Sequence, residues 1–291
     1  MGALIWLASY PKSGNTWMRS FLHNLLRNTD EPVNIDKLDD FCLSEALRLW
    51  IEPHAPRPLD TLTPPEIARL RPLGQVDMTK MFPDSVFVKT HNYLGDWCGV
   101  PLHNMNVTAG AIYIVRNPLD VVLSARHHFN MTIDETIGIL ASASAGSPPS
   151  DFLLPEIYTS WSSHVRSWTL HPNPQLLVVR YEDLLADPVK HFGVVSRFLG
   201  LNPGDERLER AVTNSSFGVL KGQEERGGFR ERPAHAESFF RVGQSDQWRS
   251  GLTPSQVRRI VAAHHEQMAR FDYIPEDYRD AVPEDVRTAK N

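Results

Sequence analysis

The strongest constraint on this chain is an alternation. Short apolar runs, each closed by a polar turn, are separated by stretches whose apolar residues recur at helical spacing. Ala3–Ala8 is the first run, and Ser85–Lys89 (SVFVK), Ala111–Val115 (AIYIV) and Leu176–Val179 (LLVV) follow it. Runs this apolar suit strands covered on both faces, and strands separated by helices pair in parallel. Between them, Thr16–Arg27 carries Trp17, Met18, Phe21, Leu22, Leu25 and Leu26 at helical spacing. Asn117-Pro118 predicts a second helix, with Asn as cap and Pro at the first position, running through Val121, Val122 and Ala125. A third is predicted over His191–Leu199.

The C-terminal third reads as helical. Thr253-Pro254-Ser255-Gln256 is a capping box ahead of a stripe formed by Val257, Ile260, Val261, Met268 and Phe271, and Thr63-Pro64-Pro65-Glu66 is a second box. Loops are expected at Pro53–Pro58, Ser142–Ser150 and Gly222–Glu237. No repeat and no break in composition divides the 291 residues, so one α/β domain over residues 1–291 is expected.

Charge narrows the function. Lys+Arg 30 against Asp+Glu 35 leaves a net charge of −5, which argues against a general nucleic-acid binder. Two cysteines, Cys42 and Cys98, suffice neither for a disulfide framework nor for an all-cysteine zinc site, and suggest a reducing compartment. The first apolar run has no basic region ahead of it and is too short for a signal-peptide core. No later stretch approaches 18 apolar residues. The expectation is a soluble, cytoplasmic chain with no membrane partner, in which the sequons at Asn106, Asn130 and Asn214 carry no glycan.

Two polar clusters follow strands, where open α/β sheets place their ligand crevice. In Tyr10-Pro11-Lys12-Ser13-Gly14-Asn15-Thr16-Trp17, a small-residue turn aims backbone N–H groups and a helix N-terminus at an anion, and Lys12 adds full charge. The lysine precedes the glycine and GxxxxGK[ST] is absent, so this is not a Walker A loop; read alone, it is as readily an ordinary Pro-Gly turn. In Arg116-Asn117-Pro118-Leu119-Asp120, with Ser124 two turns on, an arginine and a hydroxyl on one side would suit a phosphate; read alone, the cluster is as readily a surface arginine and a capping asparagine.

Together, YPKSGNTW and VRNPLDVVLS resemble the two cosubstrate motifs of the sulfotransferase family, which uses 3′-phosphoadenosine 5′-phosphosulfate (PAPS). The resemblance extends through Lys89-Thr90-His91, Tyr181-Glu182-Asp183-Leu184, Ser215-Ser216-Phe217, and Arg241-Val242-Gly243 ahead of Trp248, in order, over roughly residues 3–251. It implies a P-loop-like three-layer fold, similar to that of nucleotide kinases, with a central, mainly parallel sheet flanked by helices. It also implies that Lys12, Ser13, Gly14, Asn15 and Thr16 hold the 5′-phosphosulfate, with Trp17 beside the adenine. Arg116, Ser124, Arg241, Val242 and Gly243 would clamp the 3′-phosphate, and Tyr181, Ser215 and Phe217 would contact the adenine. The family's late loop commonly reads Arg-Lys-Gly, then Gly-Asp-Trp-Lys. Val242 offers a backbone N–H but no charge, so the 3′-phosphate leans on Arg116 and Arg241.

Sulfuryl transfer, like phosphoryl transfer, is an in-line displacement that needs a base for the acceptor and cations for the developing charge. His91 is expected to take the acceptor proton and Lys12 to stabilise the departing oxygen. Lys89, two residues before His91 on an extending strand, would reach the same side. His127-His128 and His264-His265 are adjacent on helices and cannot converge, so both pairs read as helix surface and no metal requirement follows. Glu182-Asp183 reads as a capping pair.

For the acceptor, candidates are Tyr93, Leu94 and Trp97, the segments Phe41–Trp50 and Phe129–Leu154, and Phe239 with Phe240. Residues 222–248 are expected to form a lid over the cosubstrate. The competing readings are a P-loop-type kinase, which would need a Walker A loop, and a non-catalytic nucleotide binder on the same fold. The resemblance favours a small hydroxylated or amine acceptor, as in bacterial enzymes that decorate natural products, acted on by a monomer or homodimer.

Overall fold

A computed structural model describes residues 2–281. Its main sheet contains β1 (Ala3–Ser9), β2 (Cys42–Ser44), β3 (Ser85–Thr90), β6 (Thr108–Val115) and β9 (Leu176–Arg180), in the order β2-β3-β1-β6-β9. Every neighbouring pair in this sheet is parallel. Two short antiparallel pairs lie outside it: β4 (Asp96–Trp97) with β5 (Val100–Pro101), and β7 (Gly146–Ser147) with β8 (Glu156–Ile157).

The strands are apolar throughout because both faces are covered, and their two-residue period deals alternate side chains to different layers. Leu4, Trp6, Ala8, Tyr113 and Val115 pack with α3 (Pro118–Phe129), α5 (Trp161–Thr169) and α11 (Pro254–Arg270). Leu7, Phe87, Ile112, Ile114 and Val179 point the other way, against α1 (Asn15–Arg27) and α7 (Pro188–Phe198). This is the expected three-layer α/β arrangement.

The remaining helices are α2 (Pro64–Met78), α4 (Ile133–Ala141), α6 (Tyr181–Ala186), α8 (Asp205–Asn214), α9 (Phe217–Gly227) and α10 (Trp248–Gly251). Both expected capping boxes form, at the starts of α2 and α11, and Asn117 caps α3 by accepting from the Leu119 N–H at 3.0 Å. A third box, Thr132 with Glu135, starts α4.

Several expectations need correction. The third predicted helix begins earlier, at Pro188, where the Asp187 side chain accepts from the Lys190 N–H. The expected loop Gly222–Glu237 starts as helix, because α9 continues to Gly227 before Gly228, at positive φ, ends it. Ser142–Ser150 contributes Gly146 and Ser147 to a strand pair, and Pro53–Pro58 opens within a single 3-10 turn. His264 is buried rather than surface, its Nδ1 3.0 Å from the Ser162 hydroxyl and its ring edge-on to Trp161. Among the described residues no helix is long and apolar enough to cross a membrane.

Candidate active site

Four strand ends of the parallel sheet deliver Tyr10, His91, Arg116 and Tyr181 to one edge. There a cavity of about 660 Å³ opens, roofed by residues of the segment between α9 and α10. The turn after β1 is held open by its backbone. Lys12 and Gly14 both have positive φ, and a Cβ on Gly14 would stand 2.7 Å from the Tyr181 ring. Only glycine fits there, because the conformation and the approach of Tyr181 both exclude a side chain. Asn15 Nδ2 donates to the Leu7 carbonyl at 2.8 Å, tying the start of α1 to β1. The Ser13 hydroxyl is buried and has no hydrogen-bond partner among the described residues.

Cations converge on this turn. Lys12 Nζ lies 3.9 Å from the centre of the Phe239 ring and 3.4 Å from His128 Nδ1. Burial, with Lys89, Arg116 and Arg241 nearby, pushes its ammonium down to about 7, against the opposing pull of Glu231. Arg116 donates to the carbonyls of Lys12 (3.0 Å) and Gln244 (3.3 Å) and lies 4.3 Å from the Tyr181 ring centre. It thus links the first turn to the late loop. Arg241 donates to the Leu123 carbonyl at 3.4 Å, on the turn of α3 that carries Ser124, and both residues line the cavity. Val242 and Gly243 line it too. Gly243 has a positive φ, and a Cβ there would run into the Phe217 ring.

His91 is fixed by an acceptor that can only accept. Its Nδ1 lies 2.8 Å from the Ser9 carbonyl, so Nδ1 carries the proton and Nε2 keeps its lone pair. The ring lines the cavity, and burial followed by the charge of Lys89 holds its pKa well below the usual histidine range. Behind it, Tyr113 O–H donates to His164 Nδ1 (2.8 Å) and His164 Nε2–H donates to the His91 carbonyl (3.0 Å).

Most expected site residues meet here. Lys12, Gly14, Asn15, Thr16, Trp17, Lys89, His91, Arg116, Ser124, Tyr181, Phe217, Arg241, Val242 and Gly243 all line the cavity. Ser13 and Ser215 do not: Ser13 is fully buried within the turn, and the Ser215 hydroxyl turns back to the Ala211 carbonyl at 2.8 Å, inside its own helical turn. Tyr93, Leu94 and Trp97 are also absent from the lining, because the chain after His91 is pulled aside onto β8, with the Tyr93 N–H donating to the Ile157 carbonyl at 2.9 Å. The far wall instead comes from Ser44, Leu47, Phe129, Ser147, Leu153, Glu156 and Tyr158. Glu182 and Asp183 are not the expected capping pair: Glu182 accepts from the Asn117 N–H (2.9 Å) and from the Tyr273 hydroxyl (2.7 Å), and Asp183 pairs with Arg180 at 3.3 Å.

Three participants escaped sequence reasoning. His128, read as helix surface, lines the cavity beside Lys12 because α3 turns this residue inward. Arg19 is fully buried, one turn after Thr16, and its partner Glu231 comes from the late loop at 2.5 Å. Arg19 borders the apolar stripe of α1, which was a signal for that residue; Glu231 had no local signal among its charged neighbours.

A family model described as "Sulfotransferase domain" matches residues 4–272. Sulfotransferase 2B1 of Rattus norvegicus is 25% identical, with 94% of this chain and 73% of that protein covered. Sulfotransferase 1B1 of Canis lupus familiaris is 26% identical, covering 90% and 82%. In fold, the chain resembles a mouse sulfotransferase solved with PAP (TM-score 0.61, 21% identity, 93% and 85% covered). It also resembles retinol dehydratase solved with retinol and PAP (TM-score 0.63, 19% identity, 91% and 81% covered).

Proposed function

Because the chain belongs to the sulfotransferase family, we propose that it transfers the sulfuryl group of PAPS to a hydroxyl or amine of a small-molecule acceptor, with His91 as general base. The observation that carries this reading is the Ser9 carbonyl, which commits His91 Nδ1 as donor and so supports the lone pair of Nε2 as the base, in a ring lining the cavity that Lys12 and Lys89 also line.

The residues fit the cosubstrate. The unpartnered Ser13 hydroxyl, the Gly14 cradle and the cations Lys12, Arg116 and Arg241 suit an anion-rich nucleotide. Lys12, Ser13, Gly14, Asn15 and Thr16 would hold the 5′-phosphosulfate. Arg116, Ser124, Arg241 and the Val242 and Gly243 backbone would hold the 3′-phosphate, with Trp17, Tyr181 and Phe217 beside the base. When bound, PAPS supplies an activated sulfuryl group.

His91 Nε2 accepts the acceptor's proton, and Lys12, protonated, is the cation available to the departing oxygen. Lys89 adds charge from the strand beside them. The segment from Gly228 to Gln247 is read as a lid, its Phe239 and Phe240 N–H groups pinned at 2.7 and 2.9 Å by the buried carboxylate of Glu224. Retinol dehydratase has been solved with retinol and with androsterone, both small hydroxylated molecules. An acceptor of that size suits the wall from Ser44 to Tyr158.

The test is transfer of labelled sulfate from PAPS to a panel of phenols, alcohols and amines, with mass spectrometry of the products. Sulfated product from at least one class is expected; no binding of PAPS or PAP would sink the proposal.

A further inference from the structure

One carboxylate stands among the cations, and the mechanism above does not use it. Glu231, from the late loop, has one oxygen 2.5 Å from Arg19 Nη2 and the other 3.5 Å from the Thr16 hydroxyl and 3.9 Å from Lys89 Nζ. Arg19 is its anchor: it is fully buried, it also donates to the Thr16 hydroxyl at 3.3 Å, and among the described residues its other acidic partner is Asp39 at 3.7 Å. A buried guanidinium stripped of its carboxylate is strongly destabilised, so this pairing is not an incidental surface contact. Two of Glu231's three partners, Thr16 and Lys89, belong to the proposed transfer machinery.

The geometry points to Glu231 as a positioning residue for sulfuryl transfer: carried in by the lid and seated on Arg19, it aligns Thr16 and Lys89 and balances the cations around Lys12. This inference rests on the sulfotransferase reading. Its electrostatic content follows from what faces each group. Lys12 is faced by Lys89 from β3, Arg116 from the end of β6, His128 from α3, Arg241 from the late loop and Glu231 from the lid. Glu231 is faced by Arg19, Lys89 and His91, which hold its carboxyl at about 2 despite burial, so it is ionised throughout the working range. Within this set, Glu231 supplies the negative charge that favours the ammonium of Lys12.

The measurement is the pH dependence of kcat/KM for PAPS in the full chain, for wild type, Glu231→Gln and Glu231→Asp. Removing the charge makes Lys12 lose its proton earlier, so the basic limb of E231Q is expected to move to lower pH by about one unit. E231D, which keeps the charge, should hold the limb near its wild-type position. A loop that is merely anchored by Glu231 predicts a uniform loss of rate with an unmoved limb, and that result overturns the proposal. So does an unmoved limb with tighter PAPS binding, which would make Glu231 a competing anion. Failure of the underlying reading is distinguishable, because the wild-type chain itself would then neither bind PAP nor transfer sulfate.

Discussion

The Ser9 carbonyl, 2.8 Å from His91 Nδ1, can only accept, so the imidazole proton is committed to that side and Nε2 keeps its lone pair, in a ring that lines the cavity. Replacing the ring removes the proposed base without touching the cations. His91→Ala should therefore lower kcat by about a hundredfold or more, while PAP affinity, read by calorimetry, stays near wild type. Turnover close to wild type would remove His91 from the mechanism. The pH profile carries a second test at this scale. Lys12 must keep its proton to act as a cation, and burial brings it down to about 7. With phosphates absent from the free enzyme, kcat/KM for PAPS should fall as pH rises through that region. The limb for kcat should lie higher, because the bound anions favour the ammonium.

Elements matter through what joins them. Asp120, in the first turn of α3, accepts from the Asp246 N–H at 2.8 Å and the Trp248 N–H at 3.1 Å. That one carboxylate fastens the loop bearing Arg241, Val242 and Gly243 to the helix bearing Ser124. Asp120→Ala leaves donors at the start of α10 unpaired, at a cost of about 1–3 kcal/mol for a buried group. PAP affinity should weaken by about tenfold, the equivalent of about 1.4 kcal/mol, with the affinity unchanged if the loop's position is irrelevant. The lid is testable as an element too. Proteolysis between Gly228 and Ser238 should slow when PAP is added, and equal cleavage with and without it would count against a closing role.

Across the whole molecule, a buried cluster braces the site from below. Glu45 accepts from Arg71 at 3.0 Å, from the Thr90 hydroxyl at 3.1 Å and from Asn92. Arg71 also reaches the Pro155 carbonyl, and Asn92 accepts from the Ile157 N–H at 2.6 Å. The cluster therefore ties β2, α2, the end of β3 and β8 into one support beneath His91. Arg71→Met leaves Glu45 buried and uncompensated, which should lower stability by about 3–5 kcal/mol. Denaturant unfolding measures this, and adding Glu45→Gln to the same chain should recover part of the loss. Stability of the single variant within error of wild type would show that the pair is not a brace.

What could be read from the chain by itself was whatever depends on neighbours in sequence. Buried strands such as Ala3–Ser9 announce themselves by apolar runs, α1 and α11 by helical spacing, and the caps at Thr63, Asn117 and Thr253 by local hydrogen-bond chemistry. The turn Lys12–Thr16 and the strand-end His91 were legible for the same reason, helped by the family pattern. The three-residue strand β2 was not, being too short to show a period. Nor could the chain's order of residues reveal that α3 turns His128 inward to Lys12, that Ser215 spends its hydroxyl on its own helix, or that Arg19 and Glu231, 212 positions apart, would meet at 2.5 Å. Net charge was equally silent: −5 overall, the molecule still gathers Lys12, Arg19, Lys89, Arg116 and Arg241 around one cavity edge. Long-range pairing depends on how the layers close over the sheet, and a local pattern holds no information about which distant side chain will be waiting there.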